Sequence, residues 1–285
     1  MISEGAVVWR DLLGQATEAL ASPTEARWLV ERASGFDTTE FALGLEEPVT
    51  TRASEFFTSM VDRRTAGEPL QYVLGQWGFR TLDLFVDRRV LIPRPETEMV
   101  VEVALAELRA FPKWPNVVDL GTGSGAIALS IAVELATSQV VATDRSAEAL
   151  EVARANLSGI GTLAAGRVRL VEGSWFTAVP GSLRGQIQLV VSNPPYIGDD
   201  EVLPADVADW EPPSALRAGP TGTEDIERIV AEAPRWLSRP GVLVIELAPH
   251  QAGSAIALAR DAGFTSAEAR LDLSGRERML LARIS

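Results

Sequence analysis

Apolar positions repeat along this chain with two different periods, and the change falls near residue 70. Before it the spacing is helical: Val7, Val8, Leu12, Leu13, Ala16 and Leu20 recur every three or four residues and make one apolar face. Ser22-Pro23 opens a second helix with proline in its first turn and Ala26, Leu29 and Val30 inward, and Gly35 stops it. Thr38 begins a short third segment to Leu43, and residues 51–65 make a longer fourth with Phe56, Phe57 and Met60. Residues 70–92 hold short aromatic and β-branched runs (Tyr72-Val73-Leu74, then 77–79 and 82–86) split by Gly75 and Gly78, which predict a β-hairpin. From about residue 97 apolar strands alternate with helices, the pattern of a parallel sheet covered on both faces. Strands are expected over 117–120, 140–143, 168–171, 188–192 and 242–246, and helices over 97–110, 124–136, 146–158, 223–237 and 250–262. Segments 265–271 and 278–284 join through Leu273-Ser274-Gly275-Arg276 without a helix, so a hairpin closes the sheet. The expected organisation is a helical bundle over 1–69, a β-hairpin linker over 70–92 and an α/β domain over 93–285.

Charge and rare residues narrow the chemistry. Lysine and arginine number 26 against 39 aspartate and glutamate, a net charge of −13, which opposes any partner held mainly through phosphates. With no cysteine, disulfides, thiolate metal sites and cysteine nucleophiles are excluded, and no metal site is expected. His250 is the sole histidine, which removes mechanisms needing two imidazoles, and amine chemistry would rest on Lys113 alone. The start has no basic stretch before an apolar core, and no run of 18 apolar residues occurs. A cytoplasmic protein without membrane contact is the expectation.

Two segments carry candidate chemistry. Val117-Val118-Asp119-Leu120-Gly121-Thr122-Gly123-Ser124-Gly125 is an apolar strand running into a glycine turn and a helix start, where backbone N–H groups stand free. The turn also satisfies a dinucleotide fingerprint, but Asp119 before it is a poor host for pyrophosphate and a good one for an ammonium or sulfonium. Asp144, ending the next predicted strand, can accept both hydroxyls of a ribose; capping the following helix is its alternative role, for which Ser146 serves equally. These features resemble the Rossmann-like S-adenosylmethionine-dependent methyltransferases, whose sheet commonly has seven strands with the last antiparallel. A nicotinamide dehydrogenase is the disfavoured alternative.

The strand over 188–192 ends in Asn193-Pro194-Pro195-Tyr196. Two prolines hold the chain extended and fix the neighbouring carbonyls. The Asn193 amide oxygen and the Pro194 carbonyl together suit a planar –NH₂ group, and Tyr196 offers it an aromatic face. A delocalised amide nitrogen is a weak nucleophile, so holding both N–H bonds aims its remaining lone pair, and positioning becomes the main lever. The tetrapeptide is shared by enzymes methylating adenine N6 and glutamine side-chain amides.

Further blocks choose between those substrates. Gly67-Glu68-Pro69-Leu70-Gln71-Tyr72-Val73-Leu74-Gly75 with Trp77 and Phe79, Leu91-Ile92-Pro93-Arg94-Pro95-Glu96-Thr97-Glu98, Gly173-Ser174-Trp175-Phe176, Glu211-Pro212 with Ala215-Leu216, and Asp272-Leu273-Ser274-Gly275-Arg276 occur in order. The set resembles the HemK/PrmC-type methyltransferases, which modify the glutamine of the Gly-Gly-Gln motif in peptide-chain release factors. The resemblance implies that Gly121, Thr122, Gly123, Ser124 and Gly125 wrap the methionine part of S-adenosylmethionine beside Asp119. It implies that Asp144 holds the ribose, that Trp175 lies near the adenine, and that S-adenosylhomocysteine is the product. It implies that Asn193, with Pro194 and Tyr196 catalytic and Pro195 completing the amide clamp, touches cofactor and substrate, and that the helical domain docks the release factor. Residues 93–98 are expected to line the cofactor pocket, although Arg94 could form an ion-paired bend instead. Ala248 stands where the family usually has glycine, so the local turn is expected to differ, and residues 219–225 lack the usual Asp-Gly-Leu run. His250 reads as a capping or surface residue. The acids between residues 198 and 209 read as a solvated loop or a docking surface for a basic domain. The rivals are a nucleic-acid adenine N6-methyltransferase, disfavoured by the acidity, and a cofactor-binding interaction module without catalysis.

Overall fold

The computed structural model describes residues 7–111 and 114–285; Lys113 and the first residues of the expected opening helix lie outside them. The chain divides into two compact units at Gln76/Trp77. In the first, helices Trp9–Leu20, Pro23–Ser34, Thr38–Gly44 and Thr51–Thr65 follow the expected pattern, with Ser22 capping the second and Asp37 the third through their side-chain oxygens. Trp9, Leu12, Leu29, Val30, Phe57 and Met60 form the core. Of the three apolar residues of the fourth helix, Phe57 and Met60 turn to the core and Phe56 lies on the exposed side.

The expected strand at Tyr72-Val73-Leu74 is a helix, Leu70–Leu74. Pro69 precedes it, Gly75 ends it at φ +67°, and Leu70, Val73 and Leu74 all pack into the helical core. Burial on a helical face outweighs the β propensity of these residues, which is a weak preference by comparison. Only Trp77–Phe79 and Leu82–Leu84 form the antiparallel pair, joined through Arg80 and Thr81.

The second unit is built on a seven-stranded sheet. Its strands are β1 (Asn116–Leu120), β2 (Gln139–Asp144), β3 (Val168–Glu172), β4 (Ile187–Ser192), β5 (Leu237–Glu246), β6 (Ser266–Leu271) and β7 (Glu277–Ile284). Their spatial order is β6-β7-β5-β4-β1-β2-β3. The first five run parallel, and β7 is antiparallel to both β5 and β6, as the closing hairpin requires. Helices Pro95–Leu108, Ala126–Glu134, Ala147–Gly159, Glu224–Glu232 and Ala252–Asp261 alternate with the parallel strands. β5 begins five residues earlier than expected, and the helix before it is correspondingly shorter.

Parallel strands covered on both faces read as continuous apolar runs. Val117, Val118, Leu120, Leu189, Val190 and Val191 are fully buried on β1 and β4. At roughly 2 kcal/mol for each such side chain, these central strands fix where their carboxyl ends emerge. The order of strands reverses between β1 and β4, so the loops after those two strands part and leave a crevice. Among the described residues, no helix is long and apolar enough to cross a membrane.

Candidate active site

The loops leaving β1, β2, β3 and β4 surround a cleft that, with the open solvent at its mouth, spans about 900 Å³. The turn after β1 is anchored first: the N–H groups of Gly121 and Thr122 both donate to the Thr143 carbonyl, each at 2.9 Å. Gly121 and Gly123 have φ of +73° and +55°, which L side chains rarely adopt. A Cβ on Gly123 would meet open space, so a ligand can approach the backbone there. A Cβ on Gly121 would lie 3.2 Å from Trp175 Cζ3. The Trp175 ring therefore rests on the turn, while its Nε1 donates to Asp225 at 3.2 Å.

Asp119 sits behind this turn rather than on the cleft wall, and is fully buried. Its Oδ2 accepts from the Thr122 hydroxyl at 2.6 Å and the Ala128 N–H at 3.2 Å, whereas Oδ1 has no partner. Burial pushes the carboxyl up to about 7; the two hydrogen bonds work against that rise, and Asp144 nearby adds to it. Asp119, expected beside the methionine part of the cofactor, therefore reaches the cleft only through the charge it carries behind the turn.

Asp144 lines the cleft from the end of β2. Its Oδ2 accepts from Gly123 N–H and its Oδ1 from Ser146 N–H, both at 2.9 Å. Ser146 Oγ caps the following helix by accepting from Ala149 N–H, which leaves Asp144 free of that duty. Burial raises the Asp144 carboxyl, opposed by those backbone donors and by Arg145. Each carboxylate oxygen keeps a further lone pair for a hydroxyl. Ser124, also on the wall, is held from behind: Asn156 Nδ2 donates to the Ser124 carbonyl at 2.8 Å while its amide pairs with both backbone groups of Phe85.

The Asn-Pro-Pro-Tyr segment leaves β4 beside this turn. Asn193 and Pro195 line the cleft; Pro194 is buried, and Tyr196 is half-buried next to Glu246. Asn193 Nδ2 donates to Thr97 Oγ1 at 3.2 Å. Among the described residues no donor takes Asn193 Oδ1 or the Pro194 carbonyl. The Tyr196 carbonyl is pinned by Gln251 Nε2 at 2.9 Å, and the same nitrogen holds the Gly222 carbonyl at 3.0 Å. Burial pushes the Tyr196 phenol well above its ordinary value, with Glu246 adding to the rise, so it is neutral. Asn193 and the apolar Pro195 thus border one patch of the cleft, and the Pro194 carbonyl between them in the chain is a second unclaimed acceptor, a donor-poor arrangement that suits a planar –NH₂ group.

The family model described as the PrmC N-terminal domain matches residues 10–75, and the methyltransferase small domain matches residues 101–208. A release factor glutamine methyltransferase of Deinococcus radiodurans is 41% identical over 283 residues, covering 96% of this chain and 98% of the relative. This chain belongs to the release factor glutamine methyltransferase family. A family member from Salmonella typhimurium is 35% identical over 277 residues, covering 96% of this chain and 97% of its own. Among solved structures, the hMettl16 catalytic domain has a TM-score of 0.55 at 14% identity, over 82% of this chain and 81% of that one, a likeness of fold.

Other expected positions resolve individually. Pro93 and Thr97 line the cleft, but Arg94 is ion-paired with the buried Glu211, which also accepts from Ile92 N–H at 3.2 Å. Ala248, where the family usually has glycine, has φ −74° and ψ 146°, so alanine fits this backbone without strain. His250 is exposed, as are Asp199, Asp200, Glu201, Asp206 and Asp209. Sequence reasoning passed over Glu246 and Asp225 as site residues and gave Thr97 no partner. An acid at the carboxyl end of an otherwise apolar strand was the available signal for Glu246.

Proposed function

We propose that this chain transfers a methyl group to the side-chain amide nitrogen (N5) of the glutamine in the Gly-Gly-Gln motif of peptide-chain release factors. The observation that carries the reading is Asn193, with its Oδ1 unclaimed, on a cleft that also holds the glycine turn, followed in the chain by the unclaimed Pro194 carbonyl. S-adenosylmethionine supplies an electrophilic sulfonium methyl when bound. The open approach over Gly123 and the spare lone pairs of Asp144 fit its methionine chain and its ribose, and Asp119, behind the turn, adds negative charge that favours its ammonium without touching it. Trp175 and Pro195 give it apolar walls.

Within this cleft Asn193 and Pro194 grip the two N–H bonds of the glutamine amide and turn its lone pair toward the methyl. Tyr196, held neutral, contributes an aromatic face rather than a base. No strong base is needed, because the nitrogen becomes acidic only as it gains the methyl and positive charge, and it then sheds one proton to water. Alignment of this kind is worth ~7–11 kcal/mol when two reactants are pre-organised. The helical unit, with Leu43 and Phe56 exposed, is the docking element in this reading. The exposed acids between residues 198 and 209 suit a basic ribosome-binding partner, and the cytoplasm is where such a factor is met.

The test incubates the protein and methyl-labelled S-adenosylmethionine with a release factor, with its Gly-Gly-Ala variant, or with adenine-containing DNA and RNA. Label is expected on the unaltered factor alone. Label on nucleic acid, or persisting on the variant factor, refutes the reading. Asn193→Ala should lower turnover at least ~100-fold through lost alignment, and near-normal kcat would show that the amide clamp lies elsewhere.

A further inference from the structure

Glu246 ends β5 almost completely buried, and the reaction as described leaves it without a role. Its Oε2 accepts from the Thr97 hydroxyl at 2.7 Å, and Thr97 Oγ1 in turn faces Asn193 Nδ2 at 3.2 Å. A hydroxyl carries a single proton. When that proton is committed to a carboxylate, only lone pairs face Asn193, and the atom opposite them must be the N–H end of the amide. The two ends of an asparagine amide are nearly equal in shape, so packing cannot choose between them and hydrogen bonds must.

We propose that Thr97 and Glu246 are positioning residues that fix the polarity of the Asn193 amide, turning its oxygen toward the substrate –NH₂. The proposal rests on the glutamine-amide reading above. A protonated Glu246 reverses the chain of donors: its own O–H donates to Thr97, the Thr97 proton turns to Asn193 Oδ1, and Nδ2 faces the substrate. A donor then meets a donor, and the clamp fails.

The ionisation that matters is set from several elements. Burial pushes Glu246 up to about 7 and Glu96 adds to the rise. The Thr97 hydroxyl, Arg278 on β7 and the Tyr196 hydroxyl favour the carboxylate. Arg278 Nε has no hydrogen-bond partner and lies 3.7 Å from Asp272 Oδ2, so its charge is available to both acids. Asn193 polarity therefore follows the proton on Glu246.

The side-chain amide resonances of Asn193 in the free protein report the polarity without any turnover. From about pH 5 to about pH 8 they should shift with a midpoint near 7 in the unaltered protein, and stay fixed in Thr97→Val and in Glu246→Gln. In methyl transfer to the release factor, Thr97→Val should lower kcat ~10-fold or more while S-adenosylmethionine affinity stays within about twofold, and Thr97→Ser should restore it. The acid limb of the kcat profile should vanish from the residual activity of Thr97→Val. Resonances that do not titrate in the unaltered protein, or a Thr97→Val enzyme with unchanged kcat and an unchanged acid limb, would overturn the proposal. Failure of the unaltered protein to methylate the factor would instead refute the glutamine reading, and the resonances would still decide the polarity.

Discussion

Replacing Asp119 by asparagine should make the protein more stable at neutral pH and worse at holding its cofactor. The carboxyl is buried with one oxygen unpartnered, and its ordinary value of 3.8 is raised to about 7. A carboxyl that is harder to ionise in the folded state than in the unfolded one lowers stability as pH climbs above 3.8, and the loss levels off above about 7. At pH 8 this loss reaches roughly 4 kcal/mol, and at pH 5 only roughly 1–2 kcal/mol. Asparagine keeps the shape and lets one oxygen accept from Thr122 and Ala128, but it places a buried –NH₂ where Oδ1 was. That orphan donor costs ~1–3 kcal/mol at every pH. Because it is constant, it cancels when the variant and the parent are compared at two pH values. The stability difference in favour of Asp119→Asn should therefore widen by roughly 2–3 kcal/mol between pH 5 and pH 8, read from urea midpoints of the free proteins. Calorimetric affinity for S-adenosylmethionine should fall, since the negative charge behind the turn that favours the ligand's ammonium is lost. A stability gap that stays flat with pH would show that Asp119 is ionised at no cost and that the account of its burial is mistaken.

Two other perturbations test the supports of the cleft. Asn156→Leu leaves the Phe85 backbone and the Ser124 carbonyl without partners, so unfolding stability should drop by about 3 kcal/mol; an unchanged urea midpoint would exclude the amide as the strut of the turn. Gly222→Ala places a Cβ 2.7 Å from the Tyr196 carbonyl and 2.8 Å from Gly198 N at φ +77°, which displaces the Tyr196 backbone. Its kcat should fall ~10-fold with cofactor affinity retained, and equal loss in both would point to general unfolding instead.

The sheet was legible because its central strands are buried on both faces and so read as unbroken apolar runs between glycine and proline punctuation. The closing hairpin was legible for a local reason too, since Ser274-Gly275 leaves no length for a crossover helix. Tyr72-Val73-Leu74 was misread because three residues are too short for periodicity to show, and their side chains favour strands in isolation. What decides their conformation is the neighbouring helical core that receives Leu70, Val73 and Leu74, and no local pattern encodes that.

The site divides along the same line. The glycine turn and the Asn-Pro-Pro-Tyr segment are each contiguous, so the chemistry they offer can be read from spacing alone. The chain of hydrogen bonds behind Asn193 is assembled from a helix start 96 residues before it and a strand end far after it, with Thr97 and Glu246 separated by 149 positions. Their meeting depends on β5 lying parallel to β4 with Ser192 opposite Ile245, which carries Glu246 just past the end of β4. A one-residue slip in that register would turn Glu246 to the other face of the sheet and leave Thr97 without its carboxylate. The unbroken apolar run Val242-Leu243-Val244-Ile245 therefore has a role beyond the core: it pins the register that aims Asn193.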